Sequence, residues 1–175
     1  MRTLRLSLVG TVILALLGGA GGLVAAQEAG VYVTCNAVCS EAPGRTLQEL
    51  DAVELWHFDG ECTWTCSDPR LSGPEIWNTQ QFCLKEDGGH VCMGWATHES
   101  TGPDGTWVGT SGWVSDPSRT RIPQWGFAEG TGAYEGWTYW FHNPDLMDPS
   151  GEEYGILYQG PPPPWGATLP LIPAE

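Results

Sequence analysis

The sequence predicts an all-β fold of eight short strands arranged as a barrel or a sandwich. Three observations carry this. No segment beyond residue 26 holds an apolar helical period for long. Clusters of Gly, Pro, Asn and Asp cut the chain at regular short intervals. Ten tryptophans punctuate it, with Trp113, Trp125 and Trp137 spaced by twelve and Trp95 to Trp107 also twelve. Twelve residues make about one strand and one turn, so successive strands of a meander would each bring a ring to a similar level.

The chain opens with Arg2 and Arg5 and an uncharged apolar run, Leu6 to Ala26. Val24-Ala25-Ala26 offers small residues at a cleavage site, so residues 1–26 read as a secretory leader cut before Gln27. The run is also long enough for an uncleaved signal anchor; Gly18, Gly19, Gly21 and Gly22 and the small-residue exit favour cleavage. Strands are then expected at about 30–36, 52–58, 72–80, 90–98, 105–115, 121–129, 136–142 and 153–159. The breakers between them are "APGR", "DGEC", "SDPR", "EDGG", "GPDG", "SDPS", "EGTG", "NPD" and "DPSG". One helical candidate stands apart. In "TLQELDAVEL", Thr46 to Leu55, Leu47, Leu50 and Leu55 are separated by acids and predict a turn or two of helix. The domain spans 27–160. A tail, 161–175, begins with four prolines that force an extended conformation and end the sheet, and Trp165 offers a ring to pack back.

Strand parity places side chains. In "TWVGTSGWV", Trp107, Gly109, Ser111 and Trp113 share one face, with rings alternating with small residues as the tapering inside of a small barrel requires. That face is expected inward. In "GWTYWFHN" both faces carry rings, Trp137, Tyr139 and Phe141 against Trp140 and His142, so the strand should be covered on both sides, by the tail or by another subunit.

The chain carries 7 basic and 21 acidic residues. Without the leader the net charge is −16, since Arg2 and Arg5 go and no acid does. Such a surface excludes nucleic acid and anionic membrane as partners. Six cysteines follow the leader: Cys35, Cys39, Cys62, Cys66, Cys83 and Cys92. An even count in an exported chain reads as three disulfides rather than a metal site. Cys83 and Cys92 flank a turn-rich stretch and can bridge neighbouring strands; the two C-x-x-x-C pairs then cross-link each other, expected as Cys35–Cys62 and Cys39–Cys66.

Motifs for chemistry are sparse. "EGTGAYEGWTYWFHN" has a glycine-rich start, but Glu135 stands where a dinucleotide fingerprint needs its third glycine. Gly130, Gly132 and Gly136 are instead expected to turn the chain between strands. No G-x-S-x-G elbow exists, and His57, His90, His98 and His142 show no ligand spacing. Asp145, Asp148, Glu152 and Glu153 share one loop without the EF-hand spacing. No catalytic residue, metal site or cofactor is assigned.

"CSDPRLSG", "GGHVCMGWATHES", "DGTWVGTSGW", "EGTGAYEGWTY" and "YGILYQGPPPP", in this order over about residues 64–161, resemble the secreted bacterial relatives of the allene oxide cyclase and dirigent barrels. The resemblance implies an eight-stranded antiparallel β-barrel, trimeric in many plant relatives. It places Gly130 to Gly136 at the bend joining the sixth and seventh strands, with Tyr134 filling the barrel end. The plant enzymes guide a reactive intermediate to one stereoisomer inside the barrel, and none of their catalytic residues maps onto this chain. The tryptophan excess and the Cys39–Cys66 pair depart from the group. The expectation is a secreted, non-catalytic barrel that holds a small apolar or aromatic ligand on Trp107, Trp113, Trp137 and Tyr139, or that meets an extracellular protein partner. Two alternatives are a carbohydrate-binding module with exposed Trp and Tyr rings, and an isomerase-like enzyme with the barrel interior as its site. Inward rings favour the first and third of these readings, a flat outward row of rings the second, and a buried charged group the third over the first.

Overall fold

The computed structural model describes residues 30–40, 44–86, 89–115, 121–146, 148 and 150–162. The leader and Trp165 lie outside the described residues. The chain forms β1 (Val31–Cys39), β2 (Arg45–Leu50), β3 (Val53–Cys66), β4 (Gly73–Glu86), β5 (Gly89–Thr101), β6 (Gly105–Ser115), β7 (Gln124–Gly132), β8 (Trp137–Asn143) and β9 (Glu152–Gln159), with a 3-10 turn at Pro69–Leu71.

The strands make one antiparallel sheet in the order β1-β9-β8-β7-β6-β5-β4-β3-β2, and β1 also pairs with β3. That last pairing closes the sheet into a ring of eight strands and leaves it few free edges. The ninth, β2, pairs with β3 alone. Long β3 shares its outer edge between two partners: Val53 to His57 pair with β2, and Cys62 to Cys66 pair with β1.

Two expectations are corrected here. Thr46 to Leu55 is not helical; it is β2, a two-residue turn and the start of β3. Leu50 pairs with Val53 across the turn and remains exposed, so the ladder with β3 takes the place of a helix here. The Lys85 ammonium lies 2.7 Å from Glu49 and 3.2 Å from Glu54, tying β2 to the sheet. The second correction concerns "DGEC", which does not break the chain. Strand β3 runs straight through it, because Gly60 sits opposite Trp77 and leaves room for that ring.

All three disulfides form, but the two between C-x-x-x-C pairs are Cys35–Cys66 and Cys39–Cys62, not Cys35–Cys62 and Cys39–Cys66. The reason is register. β1 and β3 run antiparallel with Cys35 facing Cys66 and Cys39 facing Cys62. Equal four-residue spacing then pairs the first cysteine of one strand with the last of the other. Cys83 and Cys92 face each other across the β4–β5 ladder and are bridged as expected.

The interior has two apolar clusters. One gathers Val33, Leu71, Trp107, Tyr134, Tyr139, Phe141 and Leu157; the other gathers Cys83, Cys92 and Trp113, with Trp56 and Ile122 packed on it. Along β6 burial alternates residue by residue, with Trp107, Gly109, Ser111 and Trp113 inside and Val108 outside.

Candidate functional site

The Trp107 end of the ring is closed by side chains. Trp107 stacks on Tyr134 with centroids 5.2 Å apart, and its indole N–H donates to the Arg70 carbonyl at 2.8 Å. The Tyr134 hydroxyl accepts from the Asp104 amide at 3.0 Å. Tyr134 reaches this position from the turn after β7, where Gly132 and Gly136 take φ of 63° and 83°. Both lie in the left-handed region, which explains why glycine stands there. A Cβ on Gly130 would collide with the Tyr134 backbone.

Between the two clusters lies a cavity of about 760 Å³. Rings form its walls in a systematic way. Trp77 faces Gly60 across the ladder, Trp113 faces Gly94, and Phe141 lies between Gly126 and Gly155. A Cβ on Gly60 would strike the Trp77 ring, and one on Gly94 the Trp113 ring. These three large inward side chains are thus each matched by a glycine on a neighbouring strand. Val38, Cys39, Leu146 and Asp148 are the exposed members of the lining.

Trp107, Trp113 and Tyr139 line this cavity, but Trp137 does not. Trp137 is the first residue of β8, at the closed end, where the Arg70 guanidinium covers it 4.3 Å from its ring centroid. Arg70 is itself held by Asp68 at 2.8 Å, and this bond to the guanidinium keeps the Asp68 carboxyl below its ordinary range. The outer face of β8 is covered at Thr138, whose hydroxyl donates to the Gly160 carbonyl at 2.6 Å.

The wall also carries a buried polar group that parity reasoning passed over. Glu153 on β9 is 5 % exposed and accepts a hydrogen bond from the Tyr139 hydroxyl at 3.1 Å. Burial, and next the charge of Glu75, push its carboxyl up to about 8, although the Tyr139 bond opposes them. Burial and Glu153 in turn push the Tyr139 phenol far up, so it stays a neutral donor. The His98 Nδ1 lies 3.8 Å from Glu75 Oε2, and the His98 ring meets Phe141 edge-on at 5.5 Å. His98 Nε2 is buried and has no hydrogen-bond partner, and the same holds for Trp64 Nε1 and Trp140 Nε1. The signal was present in "GEEY": two adjacent acids in a strand cannot both face solvent.

Comparison with family models, curated proteins and solved structures finds no match to this chain. Among the described residues no group of three or more His, Cys, Asp or Glu side chains is placed to hold a metal. The loop acids are spent separately: Asp145 accepts from the Ile122 amide at 3.0 Å, Asp148 from the Ser150 amide at 2.8 Å, and Glu153 points inward. On the outer face, register brings Trp95 of β5, Trp125 of β7 and Tyr154 of β9 to one level, and Tyr32 of β1 stacks on Tyr154 with centroids 6.5 Å apart; among the described residues Tyr32 and Trp95 are the most exposed rings.

Proposed function

We propose that this chain is a secreted β-barrel of the allene oxide cyclase and dirigent type whose lumen holds a small, largely aromatic or apolar molecule. The observation that carries the reading is the cavity of about 760 Å³, ring-walled and closed at one end. That volume suits a ligand of metabolite size. The eight-strand ring and the inward placement of Trp107, Trp113 and Tyr139 support it. Three disulfides fit an oxidising compartment. A native mass spectrum of protein purified from its own host tests the proposal. A small-molecule adduct is expected, and it should be lost when Ala96→Phe fills the cavity without lowering the melting temperature below that of a folded control. An adduct-free spectrum together with positive signals on a glycan array would favour carbohydrate binding instead.

A second reading, isomerase-like chemistry on the bound molecule, is favoured by one observation. A buried carboxyl raised to about 8 lies 3.1 Å from a neutral phenol, which is a proton donor and acceptor pair suited to work near neutral pH. Under this reading the native protein converts the bound molecule, and Glu153→Gln abolishes conversion even at ligand concentrations that saturate the variant. Loss of binding with no conversion by the native protein would count against it.

A further inference from the structure

We propose that the lumen selects a cationic ligand: an aromatic or apolar molecule carrying a protonated amine, with the ammonium group seated between Glu75, Glu153 and His98. The inference rests on the lumen being a ligand site, and it names the class of ligand.

Four observations converge. Three carboxylates line the cavity: Asp148 is exposed, while Glu75 on β4 and Glu153 on β9 lie deeper in its wall, and among the described residues no Lys or Arg lines it. Arg70 is engaged elsewhere, on Asp68 and over Trp137. Buried carboxylates without a facing cation are costly, and the elevation of Glu153 by burial and by Glu75 is the physical mark of that deficit. His98, with a side chain 10 % exposed, has an unpartnered Nε2 in the same wall, able to accept an N–H. Trp77, Trp107, Trp113 and Phe141 line the same cavity. Aromatic faces attract a cation. An anionic ligand would meet the acidic lining. A neutral ligand leaves Glu153 holding the proton that burial beside Glu75 imposes, whereas a bound ammonium supplies the positive charge that the pair lacks. A primary ammonium gives three N–H donors to Glu75, Glu153 and His98 and lays its apolar part on the rings.

Three probes of similar size and different charge decide the matter: phenylethylammonium, phenylethanol and phenylpropionate, titrated at neutral pH with the fluorescence of the lumen tryptophans as readout. The ammonium is expected to bind at least about tenfold more tightly than the alcohol, with the carboxylate weakest. The Glu75→Gln/Glu153→Gln double variant should bring the ammonium down to the affinity of the alcohol while the alcohol still binds. If that variant fails to fold, the order of the three probes on the native protein still tests the proposal. Alcohol or carboxylate binding as tightly as ammonium overturns the cation assignment and leaves the lumen reading standing. Binding of none of the three, with Ala96→Phe indistinguishable from the native protein, overturns the lumen reading and the assignment with it.

Discussion

Trp107 is fixed by three kinds of interaction at once: burial, a stacked Tyr134 ring and a spent indole N–H. Trp107→Ala should therefore cost about 3–5 kcal/mol in denaturant melts, and a loss below about 1 kcal/mol would show the ring to be dispensable. Parity made this residue legible, because "TWVGTSGWV" alternates large and small on one face. Gly132 was legible for another reason, as a turn residue between two strands. Its φ of 63° makes Gly132→Val strained although a Cβ there would meet its neighbours only at ordinary contact distance. The expected loss is about 1–3 kcal/mol, read as a lower melting temperature and poorer export. Glu135→Gln in the same turn, at an exposed position, should shift stability by no more than about 0.5 kcal/mol. A severe effect of Glu135→Gln with a mild one of Gly132→Val would make this turn a functional loop. Parity in "GEEY" puts one of two adjacent acids inside without saying which, and nothing local marks His98 as inward. Acids and histidines in strands are ordinarily read as facing water, and only the closed ring turns their alternate positions into an interior.

At the level of elements, the extent of β3 decides most of what the sequence concealed. Breakers place strands well where glycine or proline sits in a loop, as at "GPDG" and "SDPR", but "EGTG" lies inside the end of β7. They mislead where glycine sits inside a strand to admit a ring, as Gly60 does for Trp77. The extra length of β3 gives β2 an edge to join and brings Cys62 and Cys66 level with Cys39 and Cys35. Strand direction, which local sequence does not encode, then decides the pairing. Peptide mapping of unreduced protein should recover Cys35–Cys66, Cys39–Cys62 and Cys83–Cys92, and thiol titration of the denatured, unreduced chain should find no reactive thiol. Recovery of a Cys35–Cys62 peptide would contradict the antiparallel register of β1 on β3. Removing Cys39–Cys62 by a double alanine substitution should cost about 2–5 kcal/mol, because it removes one of the two disulfides that tie β1 to β3 where the ring closes.

For the whole molecule, the closed ring places a carboxyl where ionisation opposes folding. The folded Glu153 is raised to about 8 from an ordinary 4.5, so the folded state holds its proton more tightly than the unfolded chain does. Below about pH 4.5 both states are protonated there and the group takes nothing from stability. As pH rises from 4.5 through 8 the unfolded chain releases the proton first, and the folded state is progressively disfavoured. His142 acts in the opposite sense. Burial lowers its pKa, so its penalty falls on the acid side and fades above about 6.5. A pH profile of the native protein alone therefore mixes the two, and the difference between the native protein and Glu153→Gln separates them. At pH 4.5 the two should melt alike. At pH 8 and above the variant should be the more stable, by on the order of 2–4 kcal/mol. A stability difference that stays flat between pH 4.5 and 8.5 would mean that Glu153 ionises freely, and that the lumen at its position is wet rather than closed.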